Sequence, residues 1–328
     1  MDFQQLFKKI SSLKVGVIGD VMLDTYMWGA VDRISPEAPV PIVSLQKKEQ
    51  RIGGAGNVAL NIQSLQAKAF VLTVTGDDND AKQLNNLFSS NKINTEYSFK
   101  SGNRITTNKT RIISRNQHMM RLDAEITNDI GREEEEKLLQ RFENFVETEK
   151  PALIILEDYN KGVLTEAVIR SVISTCRKKG ILTAVDPKRK NFFAFKHADL
   201  FKPNLKEVKE ALNIISTTVD LHLLENIHAE LKNLLQHEAS LITLSEKGVF
   251  FKNGNSSNII PSHLRSIADV SGAGDTVIAT AGLVFAATQD LELTAEISNI
   301  AGGLVCEEVG TVAIDKEKLL KECEVLLD

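Results

Sequence analysis

The chain alternates between short runs of apolar residues and longer stretches in which apolar residues recur every three to four positions. The short runs are typical of strands buried on both faces; they cover 15–18, 70–74, 153–156, 181–185 and 241–244. The longer stretches predict amphipathic helices; they cover 55–65, 79–90, 132–148, 164–179, 205–213, 220–236, 273–287, 292–307 and 316–327. This alternation predicts an α/β fold with a doubly wound, mostly parallel sheet, in which ligands bind beyond the carboxyl ends of the strands.

Two segments interrupt this rhythm. Residues 25–50 contain three of the seven prolines and an alternating stretch, VPIVSL, while residues 97–123 alternate apolar with polar or basic positions. Both patterns predict exposed strands, which together would form a small second sheet, or lid, inserted into a single domain over 1–328. Because strands with free edges often pair between subunits, we expect a homodimer formed through the lid.

The composition excludes several classes of protein. Of 328 residues, 42% are apolar and 25% are charged, and the net charge of −5 argues against binding to nucleic acid or to anionic membranes. The three cysteines form no CxxC pair, which disfavours a zinc site or a disulfide framework. The six histidines are scattered, and we expect structural or surface roles for them. With neither a signal peptide nor a membrane span predicted, we expect a cytoplasmic protein.

The segment DVSGAGDT (269–276) is the sharpest chemical signal. It precedes an apolar helix, so the amides of Gly272, Ala273 and Gly274 could converge on one anion at a helix N-terminus. Asp275 would lie at the mouth of this anion hole. Simple N-capping would also place an aspartate there, but a cap needs neither the Gly-Ala-Gly before it nor Asp269 six residues earlier. We therefore favour a catalytic role for Asp275.

A second glycine-rich segment, GGAGNVA, covers 53–59. Read as GxGxxA with Asp77 downstream, it weakly resembles a dinucleotide-binding fingerprint, but the charged run 47–51 precedes it where that fingerprint requires a strand. A better interpretation is a helix N-terminus at which Gly53, Gly54 and the Asn57 amide contact a polyhydroxy ligand. Glycines needed only for a tight turn remain an alternative.

Other candidates follow predicted strands. Asp20 and Asp24 come after the first strand, where carboxylates commonly bind hydroxyl groups; Asp20 alone could serve only to cap the turn. In PNLKE (203–207), Asn204 and Glu207 match a capping box, or could organise Mg²⁺ and phosphate.

Five basic residues and no acidic residue lie between positions 104 and 121. They could protect strand edges against aggregation, or bind a phosphate already carried by an acceptor. The sequence does not distinguish these two roles. It contains no Walker A, HExxH or GxSxG motif.

The glycine cluster, the NxxE element and DxxGAGD occur in the order found in the ribokinase (phosphofructokinase-B) family of sugar kinases, which the chain resembles from about Lys14 to near its end. The resemblance implies a ribokinase-like, three-layer αβα fold with a small β lid. More narrowly, GDVMLDTY (19–26), RISPEAPVP (33–41), GGAGNVALNI (53–62) and DPK (186–188) resemble the kinase domain of ADP-heptose biosynthesis enzymes.

The resemblance also implies roles for the matching positions. Asp275 corresponds to the general base and 272–274 to the anion hole. The acceptor-sugar positions are Asp24, Gly53, Gly54 and Asn57. Asn204 and Glu207 match the element that arranges Mg²⁺ and the phosphates of ATP through water. The nucleotide positions are Thr243, Ser245, Gly248 and Asn299. The positions of a monovalent cation, such as K⁺, are Asp269, Ser271, Val305 and Gly310. Ser271 stands where the family usually has threonine, and Lys206 adds a charge inside NxxE.

The implied activity is transfer of phosphate from ATP to O1 of D-glycero-D-manno-heptose 7-phosphate. Many relatives carry a fused nucleotidyltransferase domain and this chain shows no HxGH-like segment, so we expect a separate nucleotidyltransferase for the next step. The alternatives are a kinase of the same family with another acceptor (ribose, fructose, fructose 1- or 6-phosphate), a dinucleotide-dependent oxidoreductase, and a non-catalytic sugar- or nucleotide-binding regulator.

Overall fold

The computed structural model describes residues 2–327 except 116, 217 and 255. Its helices are α1 (Phe3–Ile10), α2 (Ala55–Ser64), α3 (Asn79–Ser90), α4 (Arg132–Glu149), α5 (Glu166–Lys179), α6 (Leu205–Ala211), α7 (Leu221–Leu235), α8 (Ala273–Thr288), α9 (Leu291–Val305) and α10 (Lys316–Leu326). Each predicted helix is present within a few residues. Within the described ranges, no helix is long and apolar enough to cross a membrane.

The strands form two large sheets and a small one. The main sheet contains β1 (Lys14–Gly19), β4 (Lys68–Leu72), β9 (Leu153–Glu157), β10 (Leu182–Asp186), β11 (Leu200–Phe201), β12 (Ala239–Thr243), β13 (Val249–Asn253) and β14 (Ser256–Ile260). The second sheet contains β2 (Val21–Ile34), β3 (Pro41–Gly54), β7 (Asn108–Ser114) and β8 (Gln117–Ala124). A two-stranded sheet pairs β5 (Val74–Gly76) with β6 (Phe99–Ser101).

The main sheet has the order β14-β13-β12-β11-β10-β9-β1-β4. From β12 to β4 its strands are parallel, and β13 and β14 extend it as an antiparallel hairpin. Helices cover both faces, with one apolar core that includes α2 and α8 and another that includes α4, α5 and α7. This confirms the predicted ribokinase-like α/β fold. Burial on both faces explains why the parallel strands are almost wholly apolar.

The second sheet has the order β3-β2-β7-β8 and is built from the two interrupting segments. Two details differ from the sequence expectations. Residues 99–101 pair with β5 instead of joining this sheet. The charged run 47–51 lies within β3, which continues to Gly54, so a strand does precede the glycine cluster. That strand is antiparallel to β2, however, and does not form the βαβ unit of a dinucleotide fold.

Helix α1 was not predicted. Phe3, Leu6, Phe7 and Ile10 are buried at the i, i+3, i+4, i+7 spacing of an amphipathic helix, and the side chain of Asp2 caps its first turn. The helix is only eight residues long, so most of its stability comes from packing on the core and little from its own propensity.

Two of the scattered histidines meet in the core between α7 and β12. His228 Nδ1 and His237 Nε2 lie 2.9 and 2.6 Å from Ser240 Oγ. Burial is the main cause that lowers the pKa of His228 to about 4 and that of His237 to about 3, with Lys232 also contributing. Both rings are therefore neutral in the folded protein near pH 7.

We expect this pair to make the fold acid-sensitive. Between the unfolded histidine pKa of 6.5 and the folded values, the unfolded chain binds more protons, so the free energy of unfolding falls as pH falls. The expected loss from pH 7 to 5 is roughly 2–4 kcal/mol, measured by denaturant unfolding. His237→Gln should make this dependence shallower, whereas the same change at exposed His222 should not. Equal pH slopes for His237→Gln and the unaltered protein would contradict the interpretation.

Candidate active site

Charged side chains end three neighbouring strands of the main sheet. Glu157 ends β9, Asp186 ends β10 directly beside it, and Lys202 follows β11. All three are buried, and Lys202 Nζ lies 2.7 Å from Asp186 Oδ2. Both oxygens of Glu157 lack a hydrogen-bond partner among the described residues, and burial next to Asp186 and Asp275 raises its pKa well above the usual value. Burial therefore favours the protonated, neutral form of Glu157, and Lys202 forms an ion pair with Asp186.

Helix α8 begins directly over this group of charges. Its N-cap, Gly272, has φ +81°, and a Cβ there would lie 2.8 Å from Asn57 Nδ2. A Cβ on Gly274 would lie 3.9 Å from Asp186 Oδ2 and 4.0 Å from Lys202 Nζ. Glycine at 272 thus allows the close approach to Asn57, whereas the distances at Gly274 are ordinary contacts that place the first turn of α8 next to Asp186 and Lys202.

The backbone amides at the start of α8 differ in whether they have a hydrogen-bond acceptor. The Ala273 amide donates to the Val270 carbonyl at 3.3 Å, so it forms a hydrogen bond with the loop that precedes α8. The Gly274 amide has no acceptor among the residues that the structure describes, and it lies at the positive end of the helix dipole. Of the three amides expected to converge on an anion, Ala273 is thus partly engaged, while Gly274 is available.

Asp275 occupies the first turn of α8 and is 3% exposed. Its Oδ1 accepts a hydrogen bond from the Tyr159 hydroxyl at 2.6 Å, and its Oδ2 accepts one from Asn57 Nδ2 at 2.8 Å. Burial raises the pKa of Asp275 to about 6, although both hydrogen bonds oppose the shift. The carboxylate is ionised at neutral pH yet basic enough to accept a proton, as a general base must be.

The glycine cluster precedes Asn57, whose side chain contacts the Asp275 carboxylate. Gly54 has φ +61° and stands so close to the Asp20 carbonyl that a side chain would collide with it, and α2 begins at the next residue. Asn57, one turn later in α2, is wholly buried, and its side-chain Nδ2 donates a hydrogen bond to Asp275. Asn57 thus orients the carboxylate, and its Oδ1 has no hydrogen-bond partner among the described residues; its contact with the acceptor stays a prediction.

The two aspartates after β1 have different surroundings. Asp20 accepts the amides of Tyr159, Lys161 and Val163 at 2.9–3.0 Å, so it caps the turn that presents Tyr159. Asp24, also buried, forms an ion pair with Arg111 and lies against Gly53, where a side chain would collide with the carboxylate. The structure therefore gives Asp20 the turn-capping role and places Asp24 and Gly53 side by side on neighbouring strands of the second sheet.

A cleft of about 960 Å³ leads along the sheet to α8 and ends at Ala273 and Gly274. All four predicted nucleotide positions line it, together with Asn204 of the NxxE element; the four are Thr243, Ser245, Gly248 and Asn299. Apolar side chains complete the walls and suit a flat aromatic base; they are Leu205, Leu244, Leu264, Ile267, Val270 and Val277. Asn299 Nδ2 donates to the Pro261 carbonyl at 2.8 Å, and the side-chain oxygen of Asn299 could accept a hydrogen bond from a ligand.

Asn204 and Glu207 form the capping box, with reciprocal hydrogen bonds of 2.9 and 2.8 Å. The second oxygen of Glu207 binds Lys188 Nζ at 2.5 Å. Glu207 is not among the residues that line the cleft. Capping is thus observed, and the Lys188 contact directs the Glu207 carboxylate towards the strand ends.

The four predicted cation positions lie around one loop. Asp269 accepts the Ser271 amide and hydroxyl at 2.9 and 2.8 Å and the Gly310 amide at 2.9 Å. These bonds hold the pKa of Asp269 below its usual value despite partial burial. The Val305 carbonyl accepts the Glu308 amide at 3.2 Å. An anionic carboxylate and carbonyl oxygens that retain a second lone pair suit a monovalent cation.

The sequence analysis assigned no role to several residues of the site. Glu157 and Asp186 directly follow predicted strands, so the reasoning applied to Asp20 and Asp24 could have found them. Lys202 precedes the proline of the NxxE segment, after a strand of only two residues that gives little signal. Tyr159 carries no motif of its own, and its contact with Asp275 depends on the turn that Asp20 caps.

Comparisons with known proteins agree with this geometry. The model of the family described as pfkB family carbohydrate kinase matches residues 12–318. Curated relatives named bifunctional protein HldE include those of Aliarcobacter butzleri, 39% identical over 92% of this chain and 63% of the relative, and of Desulfatibacillum aliphaticivorans, 38% identical over 94% and 63%. The chain therefore spans less than two thirds of the length of these relatives.

Solved structures share the fold. Phosphofructokinase-2 from Escherichia coli in complex with potassium superposes with a TM-score of 0.81 at 18% identity, covering 96% of this chain and 100% of that one. Arabidopsis thaliana ribokinase complexed with ribose and ATP gives 0.73 at 15% identity, covering 94% and 99%.

Proposed function

The chain belongs to the pfkB family of carbohydrate kinases, and we propose that it phosphorylates D-glycero-β-D-manno-heptose 7-phosphate at O1 with ATP, with Asp275 as general base. The observation that carries the chemistry is the buried Asp275 carboxylate, oriented by Tyr159 and Asn57 where the nucleotide-sized cleft meets the α8 N-terminus. The acceptor is proposed from the resemblance of 19–26, 33–41 and 53–62 to heptose kinase domains, and the identity with HldE proteins supports it.

In the proposed reaction, Asp275 removes the proton of the anomeric hydroxyl as its oxygen attacks the γ-phosphorus of ATP. The ADP oxygen leaves, and the proton stays on Asp275. The Gly274 amide, the helix N-terminus and the Lys202 ammonium below it stabilise the negative charge on the transferred group. Closure of the second sheet over the acceptor would exclude water and so prevent hydrolysis of ATP.

Two metal ions belong to the proposal. Asp186 Oδ1 is buried without a hydrogen-bond partner among the described residues, and Glu207 lies across Lys188 from it, so both carboxylates suit Mg²⁺ held through water. Bound Mg²⁺ would neutralise charge on the β- and γ-phosphates. A monovalent cation such as K⁺ would be held by Asp269, Ser271 and the carbonyls of Val305 and Gly310; potassium is present in the phosphofructokinase-2 complex.

The proposal also includes two protein partners, a second copy of the chain and a nucleotidyltransferase. The second sheet exposes Met119, Met120 and Leu122 on its edge strand β8, together with Ile34 and Leu45 on β2 and β3. We propose that a second copy of the chain covers this surface in a homodimer. A nucleotidyltransferase that consumes the sugar 1-phosphate product would act in the next step.

The acceptor is tested by coupled ADP-release assays with heptose 7-phosphate beside fructose 6-phosphate and ribose. We expect kcat/KM for heptose 7-phosphate to exceed the others by at least about 100-fold, because the site must discriminate by several polar contacts. An equal or higher kcat/KM for either competitor would exclude the proposed acceptor.

A further inference from the structure

The second sheet carries, near Tyr159, a lysine side chain that has no carboxylate partner among the described residues. Lys109 on β7 lies between two carboxylates in register, Asp24 on β2 and Asp123 on β8. Either would be its natural cross-strand partner.

Both neighbouring carboxylates are engaged elsewhere. Asp24 is paired with Arg111, and Asp123 accepts two hydrogen bonds from Arg121, at 2.8 and 2.9 Å. No carboxylate among the described residues lies within 4.0 Å of Lys109 Nζ. Lys109 is therefore left without a counter-ion.

The next carboxylate in the chain, directly after β8, does not compensate for this charge. Glu125 pairs with Lys161 at 2.7 Å. Lys161 adds a second ammonium group near Lys109, and burial together with this repulsion lowers the pKa of Lys109. An uncompensated, half-buried ammonium group is costly unless an anion arrives to pair with it.

The ammonium group of Lys109 points towards the reacting centre. Lys109 Nζ lies 5.4 Å from the centroid of the Tyr159 ring, whose hydroxyl is bonded to Asp275. The aromatic ring thus separates the general base from the free cation. An acceptor lying along this ring would present a hydroxyl group to Asp275 and, at its other end, an anionic group to Lys109.

We propose that Lys109 binds the phosphate that the acceptor already carries, so that this site selects sugar phosphates over free sugars. The inference rests on the proposed function and deepens it. Three other basic residues of 104–121 have different surroundings. Arg111 pairs with Asp24 and lies over the Tyr26 ring, Arg104 donates to the Lys161 carbonyl, and Arg121 lies exposed on the edge strand.

The first test compares one sugar with and without its terminal phosphate. Lys109→Met keeps the apolar stem but removes the charge. We expect kcat/KM for heptose 7-phosphate to fall about 10- to 100-fold, the range of one charged hydrogen bond. The value for the unphosphorylated heptose and the KM for ATP should change less than about 3-fold. Lys109→Arg should recover part of the loss.

The control is Lys48→Met, on exposed β3 opposite Met27, where the same change should have no effect. Equal losses with both forms of the sugar, or no loss with either, would overturn the role of Lys109.

A second readout does not depend on the identity of the sugar. Binding of methyl phosphate is followed by ³¹P NMR in the presence of ADP and Mg²⁺. We expect binding to the unaltered protein and to Lys48→Met, and at least about 10-fold weaker binding to Lys109→Met. Undiminished binding to Lys109→Met would refute the inference. If heptose 7-phosphate proves a poor acceptor while methyl phosphate binding still requires Lys109, the proposed acceptor fails and the phosphate site stands.

Discussion

Replacing Asp275 by asparagine should lower kcat about 10²- to 10⁴-fold, the usual contribution of a general base. Asparagine has nearly the same shape and can still accept a hydrogen bond from Tyr159 or Asn57, so the protein should fold. Because Asp275 is not among the residues that line the cleft proposed for the nucleotide, ATP should bind as before. Turnover is measured by ADP release and nucleotide affinity by titration calorimetry.

The pH dependence of kcat provides an independent check on the same carboxylate. Protonated Asp275 cannot accept the proton, so the unaltered enzyme should gain activity as pH rises through about 6, the pKa that burial gives this group. The residual activity of Asp275→Asn should lack this rise. Asp77→Asn, at an exposed aspartate paired with Lys100, is the matched control and should behave as the unaltered protein. Turnover within 10-fold of normal in Asp275→Asn would remove Asp275 from the role.

The parallel strands and helices could be predicted because each has a periodic apolar pattern, and burial on both faces leaves the strands almost without polar residues. The hairpin of β13 and β14 was missed because its second strand, Ser256–Ile260, is half polar at the edge of the sheet. The extent of β3 was also misjudged. The charged residues 47–51 predict a loop, yet they belong to β3. The sheet is antiparallel and exposed, and such a sheet tolerates charged side chains on its solvent-facing side.

The candidate site could be predicted where local conformation demands particular residues. Gly54 and Gly272 have positive φ, and Asp275 follows in the first turn of a helix, so all three leave a local signal. Contacts between residues far apart in the sequence leave no such local signal. The sequence analysis singled out Asn57, but its hydrogen-bond partner, Asp275, is 218 residues away, and only the packing of α2 against α8 brings them together. Its amide therefore orients the Asp275 carboxylate, a contact that spacing alone could not reveal.

Gly272→Ala should reduce kcat by about 100-fold or more while the protein remains folded. The added methyl group would lie 2.8 Å from Asn57 Nδ2 and must displace the amide that orients Asp275 or the first turn of α8. A displacement near 1 Å in a catalytic arrangement is enough for a loss of ~10²-fold. Alanine at φ +81° also costs about 1–2 kcal/mol of folding free energy.

The matched control separates the contact with Asn57 from backbone strain. Gly180 ends α5 with φ +68°, and a Cβ there has no neighbour within 4 Å. Gly180→Ala should therefore show a similar loss in denaturant stability with normal turnover. If both variants are destabilised alike and both retain full kcat, the close approach of α8 to Asn57 plays no part in positioning the base. A selective loss of kcat in Gly272→Ala would link the glycine of DVSGAGDT to catalysis through Asn57, since only that variant places a methyl group against its amide.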